Sequence, residues 1–180
     1  EKGMVHVGAD DNASGVAALL ELAQQLAAAK RGGERALRRD VVFAAWSGEE
    51  IGLLGSSHFA NRLQNPHTQA KANAQPVFAY LNMDMVGRLR ERLSLYGVGS
   101  SSIWKPLIER HAAPLGIAIS TQDDSYLPTD ATAFYARGVA ILSAFTGAHV
   151  EYHTPRDRPE TLDYHGLREV TRLMAGITTS

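Results

Sequence analysis

Aspartate, glutamate and histidine are the side chains in this sequence that can hold a metal or move a proton, and they gather in short runs. Asp10-Asp11-Asn12 stands ahead of a strongly helical stretch, and Glu49-Glu50 follows the apolar run DVVFAAW. Asp84 follows VFAYLNM, and Glu151-Tyr152-His153 follows VAILSAF after a short loop. In open α/β sheets the loops beyond the carboxyl ends of the strands form the binding site, so these runs are expected to converge on one edge. Carboxylates packed together raise each other's pKa unless a cation compensates, and a divalent metal is the simplest compensation. The chain has no cysteine, which excludes thiolate ligation and a cysteine nucleophile. Carboxylate and imidazole without thiolate suit zinc, with manganese and cobalt as chemical alternatives.

The pair Glu49-Glu50 suggests a division of labour. Neighbouring residues at a strand-to-helix turn point in different directions, so one can ligate a metal while the other takes a proton from water. Two solvent-facing glutamates in a helix's first turn, favoured by the helix dipole, are the competing account. Asp10 to Gly15 reads equally as a turn with Asn12 or Ser14 capping the helix that follows. It is not a phosphate loop, lacking the Gly-Lys-Ser/Thr signature. Asp84 in so apolar a setting needs a partner. His153 is one of seven histidines, and His6, His58, His67, His111 and His165 are read as structural, with His149 a candidate lining residue. No serine sits in a Gly-x-Ser-x-Gly elbow, so a serine-hydrolase triad has no support.

The elements that must position these residues alternate between two periods. Helical spacing runs through residues 16–29, 51–63, 103–113, 129–136 and 167–177, while residues 40–46, 77–83, 93–98 and 139–145 read as strands. The run 40–46 has the pattern of a strand covered on both faces. Residues 30–39 and 61–76 are the connectors. Alternation of this kind predicts one α/β domain over residues 1–180, with a mostly parallel central sheet sandwiched by helices. A length of 180 residues, 44% hydrophobic and 21% charged, is that of an ordinary globular domain. The formal net charge of −1 offers no general attraction to nucleic acid or anionic membrane. No apolar run approaches the roughly 18 residues of a membrane span.

The same residues, in the same order, resemble the M28 zinc aminopeptidases. Gly8-Ala9-Asp10-Asp11-Asn12-Ala13-Ser14-Gly15 resembles that family's first-helix motif, and Ser47-Gly48-Glu49-Glu50-Ile51-Gly52-Leu53-Leu54-Gly55-Ser56 its paired-glutamate motif. Asn82-Met83-Asp84-Met85-Val86-Gly87 resembles its next ligand segment and Tyr152-His153-Thr154-Pro155-Arg156-Asp157 its last. The resemblance spans almost the whole chain. It implies a zinc-exopeptidase fold and two zinc ions bridged by Asp11, with Glu50 and His153 completing one site and Asp84 binding the other. It further implies Glu49 as general base, Tyr152 as hydrogen-bond donor to the tetrahedral oxyanion, and a cis Asp11–Asn12 peptide. Asp10 is the main competitor for the bridging assignment.

Two departures stand out. The family's remaining ligand is a histidine in a His-x-Asp motif upstream of the first-helix motif, whereas His6 lies in His-Val-Gly. The expectation is therefore a chain truncated at its N-terminus, with the Asp84 site one ligand short. Thr129-Asp130-Ala131 stands where many relatives have Ser-Asp-His, leaving Asp130 as a candidate to line the site from behind the ligands. The resemblance implies a zinc-dependent exopeptidase, an aminopeptidase acting on peptides and exported to the periplasm or medium. Carboxypeptidase action, glutaminyl cyclisation and a catalytically inactive binding domain are the alternatives.

Overall fold

The computed structural model describes residues 3–32, 37–63 and 77–180. Among the described residues, nine elements carry the fold: α1 (Gly15–Arg31), α2 (Leu54–Ala60), β1 (Ala79–Met83), β2 (Leu93–Tyr96), α3 (Trp104–Ala112), β3 (Ile119–Thr121), α4 (Ala131–Tyr135), β4 (Ala140–Phe145) and α5 (Tyr164–Thr178). The strands form one sheet in the order β1-β4-β2-β3. β1 pairs with β4 and β2 with β3 in parallel, while β2 and β4 run antiparallel. The sheet is thus mixed, with parallel pairing on either side of one antiparallel step.

β4 lies at the centre of the molecule because its apolar residues serve both faces. Leu142 and Ala144 join Leu22 of α1, Ile108 of α3 and Val170, Leu173 and Met174 of α5 in one core. Ile141 points the other way, into a second core with Ala60 of α2 and Ala131 and Phe134 of α4. Successive strand side chains alternate faces, so a continuous apolar run is what a doubly covered strand requires. The aromatic side of the second core is tightly nested: the Tyr80 and Phe134 rings stack at 4.0 Å between centroids.

Most of the expected elements form, with shifted ends. α5 begins at Tyr164, upstream of the periodic run, because Asp163 accepts a hydrogen bond from the Gly166 N–H at 3.0 Å and caps the first turn. α2 begins only at Leu54, since Gly52 (φ 110°) and Leu53 (φ 56°) have left-handed backbone that cannot belong to a helix. Residues 40–46 do not pair as a strand with any of the described residues. Val42 is 76% exposed and Phe43 37%, so the run is not covered on both faces as its composition suggests. Trp46 anchors its end, donating from Nε1 to the Tyr80 hydroxyl at 3.0 Å. β3 is too short and polar to announce itself in the sequence. The charged connector falls partly, and the connector over 61–76 largely, outside the described residues.

Candidate metal centre and active site

Asp11 sits in an irregular turn, Ala9–Ser14, that leads into α1. Its backbone (φ −108°, ψ 91°) and that of Asn12 (φ −131°, ψ 42°) are non-helical, and the peptide between them is cis, as the resemblance implies. Asn12 does more than cap the helix. Its Oδ1 accepts from the N–H groups of Gly15 at 3.1 Å and Met85 at 3.2 Å, and its Nδ2 donates to the Met83 carbonyl at 3.0 Å. One side chain therefore holds the start of α1 against both residues flanking Asp84. Gly15 permits this approach, because a Cβ there would collide with the Met83 carbonyl oxygen and Asn12 Oδ1.

Asp10 and Asp11, adjacent in sequence, face different surroundings. Asp10 is fully buried, and its Oδ1 accepts from the Gly87 N–H at 2.7 Å and the Ser14 hydroxyl at 3.1 Å. Its Oδ2 lies 3.2 Å from His149 Nε2. Asp11 points instead towards the loops carrying Glu50 and His153.

Glu49 and Glu50 occupy a tight turn closed by its own backbone. Leu53 and Leu54 donate to the carbonyls of Glu49 at 2.9 Å and Gly48 at 3.0 Å, and Gly55 donates to that of Ser47 at 2.9 Å. Gly48 supplies the left-handed residue (φ 72°) from which the turn starts. His153 also has left-handed backbone (φ 55°), as does Met85 (φ 52°) just after Asp84. Such conformations cost about 1–3 kcal/mol each in a non-glycine residue and collect at functional sites.

These turns bring three donors together. His153 Nε2 lies 2.8 Å from Glu50 Oε1 and 3.1 Å from Asp11 Oδ2. One donor atom from each of Asp11, Glu50 and His153 falls within a set whose members are all within 4.8 Å of one another. Asp84 is not a member of that set. It is nonetheless close enough to matter electrostatically: burial, then the charges of Asp11, Glu49, Asp130 and Glu50, push its carboxyl up to about 7. Burial first and the neighbouring carboxylates next also raise Asp11 and Glu49. Negative charge here exceeds what the one imidazole of the cluster offsets. Two carboxylates and an imidazole at these separations are a donor set that fits zinc.

Tyr152 stacks on the His153 ring, with centroids 3.7 Å apart. Burial and then the charges of Asp11 and Glu50 raise its phenol, which keeps the hydroxyl protonated and able to donate. A cavity of about 580 Å³ opens beside the cluster, lined by residues including His6, Asn12 and Thr154. His6 thus reaches the site's margin without joining the cluster. His149 does not line this cavity: its side chain is 2% exposed, wedged between Asp10 and Glu151, with Nδ1 3.3 Å from Glu151 Oε2. Asp130 lies near enough to raise Glu49 and Asp84. Sequence reasoning assigned no role to Arg88 or Asp157, although both belong to the buried framework behind the site. The only signal in the sequence was their position inside or beside the motifs.

Comparison with known proteins bears on this arrangement. The pattern of Peptidase family M28 matches residues 2–178. The chain belongs to peptidase family M28. It is 30% identical over 181 residues to Aminopeptidase YwaD of Bacillus subtilis, covering 93% of this chain and 36% of that protein. It is 32% identical over 152 residues to an aminopeptidase of Pseudomonas aeruginosa, covering 78% of this chain and 26% of that protein. The solved structure of an aminopeptidase from Aneurinibacillus sp. strain AM-1 superposes with a TM-score of 0.76 at 23% identity, over 96% of this chain and 39% of that one. This M28 chain therefore spans about a third of the length of these relatives, and the α/β fold is shared with that aminopeptidase.

Proposed function

We propose that this M28 chain carries the catalytic machinery of a zinc-dependent aminopeptidase, which removes N-terminal residues from peptides. The observation that carries the reading is the meeting of Asp11, Glu50 and His153 donor atoms within 4.8 Å of one another. Asp11, Glu50 and His153 would hold one zinc ion. Asp84 would contribute to a second, with Asp11 shared between the two. When bound, zinc supplies Lewis acidity, making a nearby water more acidic and stabilising negative charge on the carbonyl oxygen.

The chain's own residues supply the rest. The Glu49 carboxylate takes the proton from the attacking water and returns it to the departing amine nitrogen. The Tyr152 hydroxyl donates to the oxygen on which charge builds. Asn12 holds Asp11 and Asp84 in register through its contacts around Met83 and Met85. Export to the periplasm or medium belongs to the same proposal and rests on the family alone.

The experiment is zinc per polypeptide after dialysis against trace zinc, paired with release of the N-terminal residue from a short peptide. Zinc uptake together with release of free amino acid is the expected result. No zinc uptake would overturn the metal reading; ammonia released from an N-terminal glutaminyl peptide, as the terminal amine displaces the side-chain amide nitrogen and the peptide bond stays intact, would favour cyclisation instead.

A further inference from the structure

Asp157 is almost completely buried, with 1% of its surface exposed, and it spends its carboxylate on backbone. Both of its oxygens accept from the Asp10 N–H at 3.0 Å, and Oδ2 also accepts from the Asp11 N–H at 3.0 Å. Its own carbonyl accepts from the Ala9 N–H at 3.3 Å. Asp157 thus grips successive residues of the turn that aims Asp11. It stands just beyond His153 in the chain, with its N–H bonded to the Thr154 carbonyl at 3.1 Å. The turn presenting one proposed ligand is in this way tied directly to the loop presenting another.

Arg88 keeps this carboxylate in place. It is 6% exposed, and its guanidinium reaches Asp157 Oδ1 at 3.3 Å and Glu151 Oε2 at 2.8 Å. Burying a carboxylate so completely is unfavourable unless a countercharge and hydrogen bonds offset it, and here both are present. A carboxylate accepting from amide N–H groups makes stronger bonds than a neutral acceptor would. Replacing Asp157 by asparagine would set an NH2 group against an N–H, or else leave a donor unpaired.

From this geometry we infer that Asp157 is a positioning residue for the metal centre: by holding the Asp10 and Asp11 amides, it fixes where the Asp11 carboxylate points relative to His153. The inference rests on the reading of Asp11, Glu50 and His153 as zinc ligands. Groups behind metal ligands typically change metal affinity by roughly 10–100-fold when removed.

The test compares the unaltered chain with Asp157→Asn and Thr161→Val. Thr161 also meets the Arg88 guanidinium, but it has no contact with the Asp11 amide. Zinc affinity is measured by competition with a chromophoric chelator, and the stability of the zinc-free chains by thermal unfolding. Asp157→Asn is expected to weaken zinc binding by roughly 10–100-fold in protein that remains folded, whereas Thr161→Val leaves affinity unchanged. Unaltered affinity in folded Asp157→Asn, or equal losses in both variants, would overturn the inference while leaving the zinc site standing. Failure of the unaltered chain to bind zinc would overturn both readings. Should Asp157→Asn be recovered only unfolded, Asp157→Glu replaces it, keeping the charge opposite Arg88 while displacing the oxygens. A folded glutamate variant with reduced affinity supports the inference, and one with full affinity refutes it.

Discussion

At the scale of single residues, the neighbours Glu49 and Glu50 have different tasks in the proposed mechanism. Glu50 faces His153 at 2.8 Å, while Glu49 lies outside the three-donor cluster with its carboxyl raised by burial and by Glu50. Glu49→Gln is therefore expected to abolish peptide hydrolysis while zinc content stays at the level of the unaltered chain, measured by parallel activity and elemental assays. Unchanged hydrolysis would remove the general-base role. Tyr152→Phe should lower kcat by about 100-fold with little change in KM if its hydroxyl meets charge that develops only in the transition state. A kcat equal to that of the parent would place the hydroxyl elsewhere. Glu49, Glu50 and His153 were legible in the sequence because their chemical types are informative and their order matches the motifs. Asp157 was not, because its partners are backbone N–H groups, which every residue but proline carries, at a separation of 147 positions from Asp10. Asn12 was half legible: its capping role follows from type and position, but its reach to Met83 and Met85 does not.

At the scale of elements, the site depends on α1 approaching the end of β1 closely. Gly15 to Ala would improve helix propensity by about 1 kcal/mol. Against that, the added Cβ meets the Met83 carbonyl oxygen and the side chain of Asn12. Overpacking of this kind costs about 1–3 kcal/mol, and backbone cannot yield as a flexible side chain does. Gly15→Ala is thus expected to lower stability on balance, with zinc affinity falling alongside it. Denaturant unfolding and zinc titration check this, and a more stable variant would show that α1 has room for a methyl group beside the Met83 carbonyl. The helices α1 and α5 were readable because their apolar faces recur at helical spacing over many residues. The run 40–46 misled for a physical reason. An apolar stretch records a preference for burial, while a strand needs a neighbour's N–H and C=O groups, and composition carries no information about that neighbour. β3 is the converse, three unremarkable residues made a strand by pairing with β2.

At the scale of the whole molecule, the acidic site sets how stability responds to pH. Asp84 is raised to about 7 in the folded chain, against roughly 3.9 for an unfolded aspartate. Without zinc the folded state binds the extra proton across that interval, so the Asp84 contribution is fully present below about pH 4 and is lost as pH rises to about 7. Asp11 and Glu49 are shifted in the same direction. The chelator-treated chain should therefore unfold at a higher temperature at pH 5 than at pH 8. Saturating zinc, which binds deprotonated carboxylates, should reverse that order. Thermal melts at both pH values, with and without zinc, decide the point, and a chelated chain more stable at pH 8 would refute the shift. The α/β class was legible from alternating periods, but strand order was not. Residues 84–92 between β1 and β2 are too few for a parallel crossover, yet nothing local reveals that β4 later inserts between those two strands. That antiparallel step also divides the molecule into two ends. β1 and β4 deliver their following loops to the edge where Asp84 and His153 lie, whereas β2 finishes at the opposite end, about one strand length of roughly 16 Å away. Ser102, exposed in the loop after β2, lies beyond that remote end, and the chain contains no cysteine. Ser102→Cys would thus create a unique thiol through which the protein can be fixed to a surface or given a fluorophore, with the edge that carries Asp11, Glu50 and His153 turned outward.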